Sequence, residues 1–156
     1  MNIIGIDPGK SGGISVITED VSIVLCESIE KMTERDVADT IDAFKSMGAC
    51  HCFIEKVGAA RGQGVTSMFT FGQNYGFWRG LLTANKIPFE EVPPTVWQPA
   101  MRCKTRGAST KSEHKQHLKQ RAQQLFPSIH ITLATADALL IAEYGRRVYN
   151  SRTRQS

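Results

Sequence analysis

The sequence predicts an α/β fold built on a mixed five-stranded sheet flanked by helices, and three observations carry that reading. Five short runs of strand character lie at 2–7, 12–18, 21–28, 50–55 and 87–92. The first three are separated only by turns, so they form an antiparallel meander. The last two each follow a helix-length segment, and a strand reached through a helix pairs in parallel. With 156 residues the chain suits one core. A single domain is expected over 1–149, and the polar, basic residues 150–156 are expected to be a disordered tail.

The elements follow in order. Asn2–Asp7 is a buried apolar strand that runs straight into an aspartate, and Pro8–Ser11 turns the chain. Residues 12–18 alternate as a second strand, Glu19-Asp20 is a hairpin turn, and 21–28 is a third strand. Thr33 with Asp36 reads as an N-cap with an acid three residues on, and Val37, Ile41 and Phe44 then repeat at helical spacing over 34–47. Cys50–Glu55 is a short buried strand, and the glycine-rich 56–64 is a loop. Residues 65–85 read as a long helix with Met68, Phe69, Phe71, Tyr75, Phe77, Trp78, Leu81 and Leu82. Its Gly72, Gly76 and Gly80 each cost about 1 kcal/mol of helix propensity, which close approach of another element would offset. The apolar positions exceed what one face needs, so a homodimer through helix 65–85 is expected. Pro93-Pro94 ends the strand at 87–92, and a short helix containing Trp97 follows. The basic 102–110 is a loop, 111–125 a helix with Leu118, Ala122 and Leu125 inward, and 135–149 the last helix.

Net charge is +4 and the pI about 9.0, which favours a polyanionic partner. The distribution sharpens this: Arg102, Lys104, Arg106, Lys111, Lys115, Lys119 and Arg121 have Glu113 as the only acid among them. Cys26, Cys50, Cys52 and Cys103 contain no Cys-x-x-Cys pair and read as buried free thiols, which fits a reducing compartment. His114 and His117 share a helix face without a matching Cys or Asp, and read as solvated or DNA-facing. No run is long and apolar enough to span a bilayer, and the start lacks a signal-peptide pattern. A cytoplasmic protein with no membrane partner is expected.

Three acids stand in apolar surroundings. Asp7 ends the first strand, Glu55 follows Cys52-Phe53-Ile54, and Asp137 precedes Ala138-Leu139-Leu140-Ile141-Ala142. Each alone has a plainer reading: a turn-forming Asp, a solvated strand-end acid, and an acid on a helix dipole. A buried charge must be paired, protonated or metal-bound, and three together suggest one cation site assembled by the fold. Mg²⁺ takes oxygen ligands, and two such ions about 4 Å apart serve phosphodiester hydrolysis. Mg²⁺ is therefore the expected cofactor. Gly9-Lys10-Ser11 raises a nucleotide-binding P-loop, but that motif needs glycine at the position of Ile4. No nucleotide cofactor is expected, and Lys10 reads as phosphate-facing or exposed. An actin-like ATPase also begins with an Asp-x-Gly turn, but it needs a second phosphate loop and about twice the length.

An ordered set of motifs spans most of the chain: Ile4-Gly5-Ile6-Asp7-Pro8-Gly9, Phe53-Ile54-Glu55-Lys56, Phe71-Gly72-Gln73-Asn74-Tyr75-Gly76, Pro94-Thr95-Val96-Trp97, Leu125-Phe126-Pro127 and Ala136-Asp137-Ala138-Leu139-Leu140-Ile141-Ala142. In this order they resemble the RuvC-type Holliday junction resolvases, in the small phage-like branch of the RNase H-like superfamily. The resemblance implies an RNase H-like fold and a homodimer that binds four-way DNA junctions. It implies paired metal-dependent nicks leaving 5′-phosphate and 3′-hydroxyl ends. Asp7, Glu55 and Asp137 match the family's metal-binding catalytic acids. Lys111 and Lys115 fall where the family carries DNA-contacting basic residues, and the helix with Met68 and Phe69 resembles its dimerisation and junction-facing region. Stacking on a splayed base suits Phe69, and a core role suits it equally. With Lys10, Arg61, Lys104 and Arg106 these make up the candidate DNA contacts.

One position departs from the family. A further ligand is expected one helical turn before the last acid, and Ala134 stands there. Three readings are open: a substitution that disables cleavage, a stand-in such as Glu143 or His130, or a junction-binding protein that cuts weakly or not at all.

Overall fold

A computed structural model describes residues 1–56, 58, 64–103 and 110–155. Among the described residues ten elements run β1 (Asn2–Asp7), β2 (Gly13–Thr18), β3 (Ile23–Ser28), α1 (Glu34–Ser46), β4 (Cys50–Glu55), α2 (Val65–Ala84), β5 (Phe89–Val92), α3 (Pro94–Ala100), α4 (Lys111–Leu125) and α5 (Ala136–Thr153). The five strands form one sheet in the order β3-β2-β1-β4-β5. The first three are antiparallel, while β1–β4 and β4–β5 are parallel. This is the mixed sheet that the spacing of helices and turns predicts.

Pleating divides the strand side chains between two cores. Ile4, Ile6, Ile14, Val16, Cys52 and Ile54 point to the face covered by α1 and α2, where Val37, Ile41, Phe44, Trp78 and Leu82 are buried. Ile3, Ile17 and Phe53 point to the other face, under Trp97 of α3, Leu118 and Ala122 of α4, and the Leu139–Ala142 run of α5. On that face α5 sits directly on β1 and β4. A Cβ on Gly5 would lie 2.2 Å from the Ala138 carbonyl oxygen and 2.4 Å from the Ala142 nitrogen. A Cβ on Gly145 would lie 2.1 Å from the Phe53 ring. The missing side chain of Gly5 brings helix and sheet backbones together, a usual meaning of glycine inside a strand, and that of Gly145 makes room for the Phe53 ring.

Several expectations are corrected at the element ends. The hairpin from β2 to β3 is wider than Glu19-Asp20: Thr18 and Ser22 bridge it, Val21 takes φ 72°, and β3 starts at Ile23. β5 starts at Phe89 rather than Ile87, because Pro88 has no N–H for the ladder. Residues 150–153 continue the last helix, where a disordered tail was expected from 150. Arg152 forms a forked ion pair with Glu90 of β5 (2.6 and 3.1 Å), which ties this last turn to the sheet. The α1 cap forms as read, a capping box of Thr33 and Asp36. Cys52 and Cys103 are buried, Cys26 and Cys50 only partly, and all four are free thiols. No helix among the described residues is long and apolar enough to cross a membrane.

The helix at 65–84 departs further from expectation. Only Trp78 and Leu82 are buried, and Phe69 is 67% exposed, which removes its core reading. A Cβ added at Gly72, Gly76 or Gly80 meets nothing within 4 Å. No element of the chain's described residues therefore offsets the helix cost of these glycines.

Candidate active site

Strand register builds the first half of the site. Ile6 of β1 pairs with Ile54 of β4 in parallel, so Asp7 and Glu55 are the next residue on each of two neighbouring strands. They share the pleat parity of Ile3, Gly5 and Phe53, so both side chains leave toward the α5 face. The Gly5 contact then seats the first turn of α5 over the strand ends, and Asp137 lies in that turn. All three acids line one cavity of about 500 Å³ together with Gly9, Lys10, Ser11, Gln98, Lys111, His114 and Lys115. Asp7 is 8% exposed and Asp137 6%.

Each acid has a fixed partner. Asp7 Oδ1 accepts the Gly9 backbone N–H at 3.1 Å, so the turn-forming role of this aspartate is real and coexists with its place in the cavity. Glu55 Oε2 accepts the Trp97 indole N–H at 2.9 Å, and Trp97 is wholly buried. The Lys115 ammonium donates to Asp137 Oδ2 at 2.9 Å and stands 3.9 Å from Asp7 Oδ2.

No family model matches the sequence, and neither does any curated protein. Solved structures do match. The Thermus thermophilus RuvC in complex with a Holliday junction substrate superposes with a TM-score of 0.68 at 15% identity, over 98% of this chain and 96% of that one. A second structure of Thermus thermophilus RuvC gives 0.62 at 16% identity, over 99% and 97%. The chain has the RNase H-like fold of RuvC.

On this RuvC fold the acid cavity has a pronounced electrostatic imbalance. Burial, and then the Asp7 and Asp137 charges, push the Glu55 carboxyl up to about 8, against the weaker opposing pull of Trp97 and Lys115. Burial also raises Asp137, with Asp7 adding to it, and Lys115 only partly counters this. Burial works against the Lys115 charge, but Asp137, Asp7 and Glu55 together hold its amine above the ordinary lysine value. Asp137 Oδ1 is buried without a hydrogen-bond partner among the described residues. A set of oxygen donors short of positive charge, with one buried lone-pair site unmet, fits a hard divalent cation. Among the described residues no three His, Cys, Asp or Glu side chains already close around a single point. Lys115 stands between two of the acids instead.

The other sequence candidates divide clearly. Lys10 and Lys111 are exposed at the cavity rim. Lys115 is turned inward onto the acids, so its ammonium is engaged with protein. Arg61, Lys104 and Arg106 lie outside the described residues. His114 lines the cavity, while His117 lines a separate small one with Arg102 and Arg121. Neither stand-in for the missing ligand reaches the site. Glu143 is clamped by Arg146 and Arg147 at 2.7–2.9 Å, and His130 is exposed away from the cavity lining.

Sequence reasoning did not anticipate three contacts at the acid cavity. Gly5 lets α5 seat Asp137 over the strand ends, the Trp97 indole donates to Glu55, and Lys115, read from the sequence as a DNA contact, turns inward onto Asp137. A glycine inside an apolar strand was the available signal for the first. A buried indole needs an acceptor, which was the signal for the second. Nothing in the local sequence distinguishes Lys115 from its basic neighbours.

Proposed function

We propose that this chain is a divalent-cation-dependent endonuclease that nicks four-way DNA junctions. The convergence of Asp7, Glu55 and Asp137 in one cavity, on the fold of a protein solved with a Holliday junction, is the observation that carries the reading. Mg²⁺ or Mn²⁺ held by these acids would polarise a phosphate and lower the pKa of a bound water. The chain's own groups do the rest. The Gly9 N–H and the Trp97 indole each hold one carboxylate oxygen, of Asp7 and of Glu55, and leave the other oxygen of each acid for the ion. Lys10 and Lys111 bind phosphates on either side of the scissile bond, which makes binding salt-dependent. Phe69, exposed on α2, stacks on a base freed at the crossover. Products with 5′-phosphate and 3′-hydroxyl ends follow from this reading.

Paired nicking needs two such sites, and α2 supplies the contact for a homodimer. Its glycines at 72, 76 and 80 leave an open strip beside Phe69. Gly76→Leu tests this directly. Within one chain the new side chain meets nothing and replaces a poor helix former. The variant is expected to keep its fold by circular dichroism and to run as a monomer in light scattering, with the parent a dimer. A parent that is monomeric at micromolar concentration removes the dimer proposal.

A second reading, a junction-binding protein that cuts weakly or not at all, is favoured by Ala134, which has no ligating atom on its side chain. The deciding assay is an end-labelled four-way junction with Mg²⁺, with Mn²⁺ and with EDTA, run beside Ala134→Asp. Metal-dependent paired nicks by the parent are expected. Nicks by the variant alone point to a scaffold disabled at one ligand, and binding without nicks in either favours the second reading.

A further inference from the structure

We propose that Arg102 and Arg121 form a seat for one phosphate of the DNA backbone, apart from the acid cavity. The inference rests on the endonuclease reading and names a further contact to its substrate. A second cavity, of about 90 Å³, is lined by Arg102, His117, Gln120, Arg121 and Gln124. None of these is an acid, and none lines the acid cavity. The four α4 residues fall at 117, 120, 121 and 124, the spacing of one helix face. Arg102 comes from the turn that ends α3. Its N–H bonds the Pro99 carbonyl at 2.9 Å, and the Cys103 N–H bonds that of Gln98 at 3.0 Å. This is a left-handed helix cap with Arg102 at φ 56°, a place usually given to glycine. The arginine there is exposed, and its side chain has no hydrogen bond or ion pair among the described residues. Arg121 is half-buried. Its Nε donates to the Met101 carbonyl at 2.7 Å and its Nη1 to Gln124 Oε1 at 3.2 Å. These bonds fix its guanidinium beside the same turn.

The chemistry of this lining selects an anion. Two guanidiniums repel each other, and no carboxylate of the lining stands between them. A negative group in the cavity relieves that repulsion. The planar fork of arginine matches the oxygens of a phosphate, and the glutamine amides add neutral donors. Pockets for small molecules run from about 300 to 1,000 Å³, so this cavity suits a single phosphate group and excludes a whole nucleotide. Position favours the DNA backbone as its source. The same helix borders the acid cavity with Lys111 and His114. Arg121 is ten residues beyond Lys111, about 15 Å along the helix axis. That is less than half of the roughly 34 Å turn of duplex DNA. An arm with one phosphate at the acids therefore has others within reach of this cavity. The bond from Arg121 to Met101 also has a plainer role in closing α3, but that role does not involve the Arg102 side chain.

The test is binding of the full chain to a four-way junction in EDTA, from about 50 to about 200 mM salt, with nicking in Mg²⁺ measured separately. Arg102→Gly removes the guanidinium and suits the left-handed backbone, so its urea midpoint should equal or exceed the parent's. Its plot of log affinity against log salt should lose about one unit of slope, with affinity several-fold lower at the lowest salt. Lys45→Ala removes one exposed charge from α1, on the other face of the sheet, and should change neither. Parent-like slope and affinity for Arg102→Gly, or an equal loss in Lys45→Ala, overturns the proposal and leaves the endonuclease reading intact when the parent nicks. Inorganic phosphate that raises the melting temperature of the parent alone, with DNA binding unchanged in Arg102→Gly, also overturns it and assigns the cavity to free phosphate. The expected slope change in a chain that never nicks supports the seat and moves the chain to the junction-binding reading. A parent that does not bind the junction removes both.

Discussion

Asp7→Asn is expected to abolish metal-dependent nicking, by on the order of a hundredfold or more, while junction binding is kept. Asparagine has nearly the same shape, and its amide oxygen can still accept the Gly9 N–H that fixes the turn. The loss is therefore chemical. Asp7 stands at the end of the central strand and is the acid that borders both the Lys115–Asp137 pair and Glu55. Without its charge, a divalent ion on the Glu55 side has one anionic ligand fewer. The substitution also removes a negative charge from a cavity that must accept phosphate, so affinity for the junction should be equal or higher. Gel-shift and nicking assays on the same preparation separate the two effects. Unchanged nicking by a folded Asp7→Asn protein would sink the proposed mechanism.

Gly5→Ala is expected to be strongly destabilising for so small a change. The added Cβ would sit 2.2 Å from the Ala138 carbonyl oxygen and 2.4 Å from the Ala142 nitrogen. Both are helix backbone atoms, which cannot step aside as a side chain can. Either α5 lifts from the sheet or β1 bends, and both open the core around Ile3, Phe53, Leu139 and Leu140. Overpacking of this kind costs about 1–3 kcal/mol, and contact with backbone belongs at or above the top of that range. Against a total stability of roughly 5–15 kcal/mol this is a large loss. Urea denaturation should show a lower midpoint. Residual folded protein should also nick poorly, because α5 carries Asp137 away from Asp7. A variant with parent-like stability and activity means that α5 does not rest on Gly5.

The two substitutions mark different levels of legibility. Asp7 was readable because an apolar run ending in an acid at a Pro-Gly turn is a local pattern with a local meaning. Glu55, at the end of an apolar run, and Asp137, at the start of one, also stand out from their immediate neighbours, and the strand–helix order was enough to set β1 and β4 parallel. These features depend on neighbours within a few residues. Gly5 depends on a helix more than a hundred residues later, and its role appears only when α5 is in place.

The chain by itself determined the sheet, most element boundaries and which acids stand among apolar neighbours, because hydrophobic period, turn residues and caps act over short range. Tertiary structure alone decided which basic side chain faces the acids. Lys111 and Lys115 lie one helical turn apart in the same basic stretch, yet one is exposed at the rim and the other pairs with Asp137. It also decided that the glycines of α2 face open space and that residues 150–153 extend a helix anchored by Arg152. The physical reason is common to all three. Periodicity states that a helix has faces, but what each face meets is set by how elements pack, and packing is a property of the whole chain.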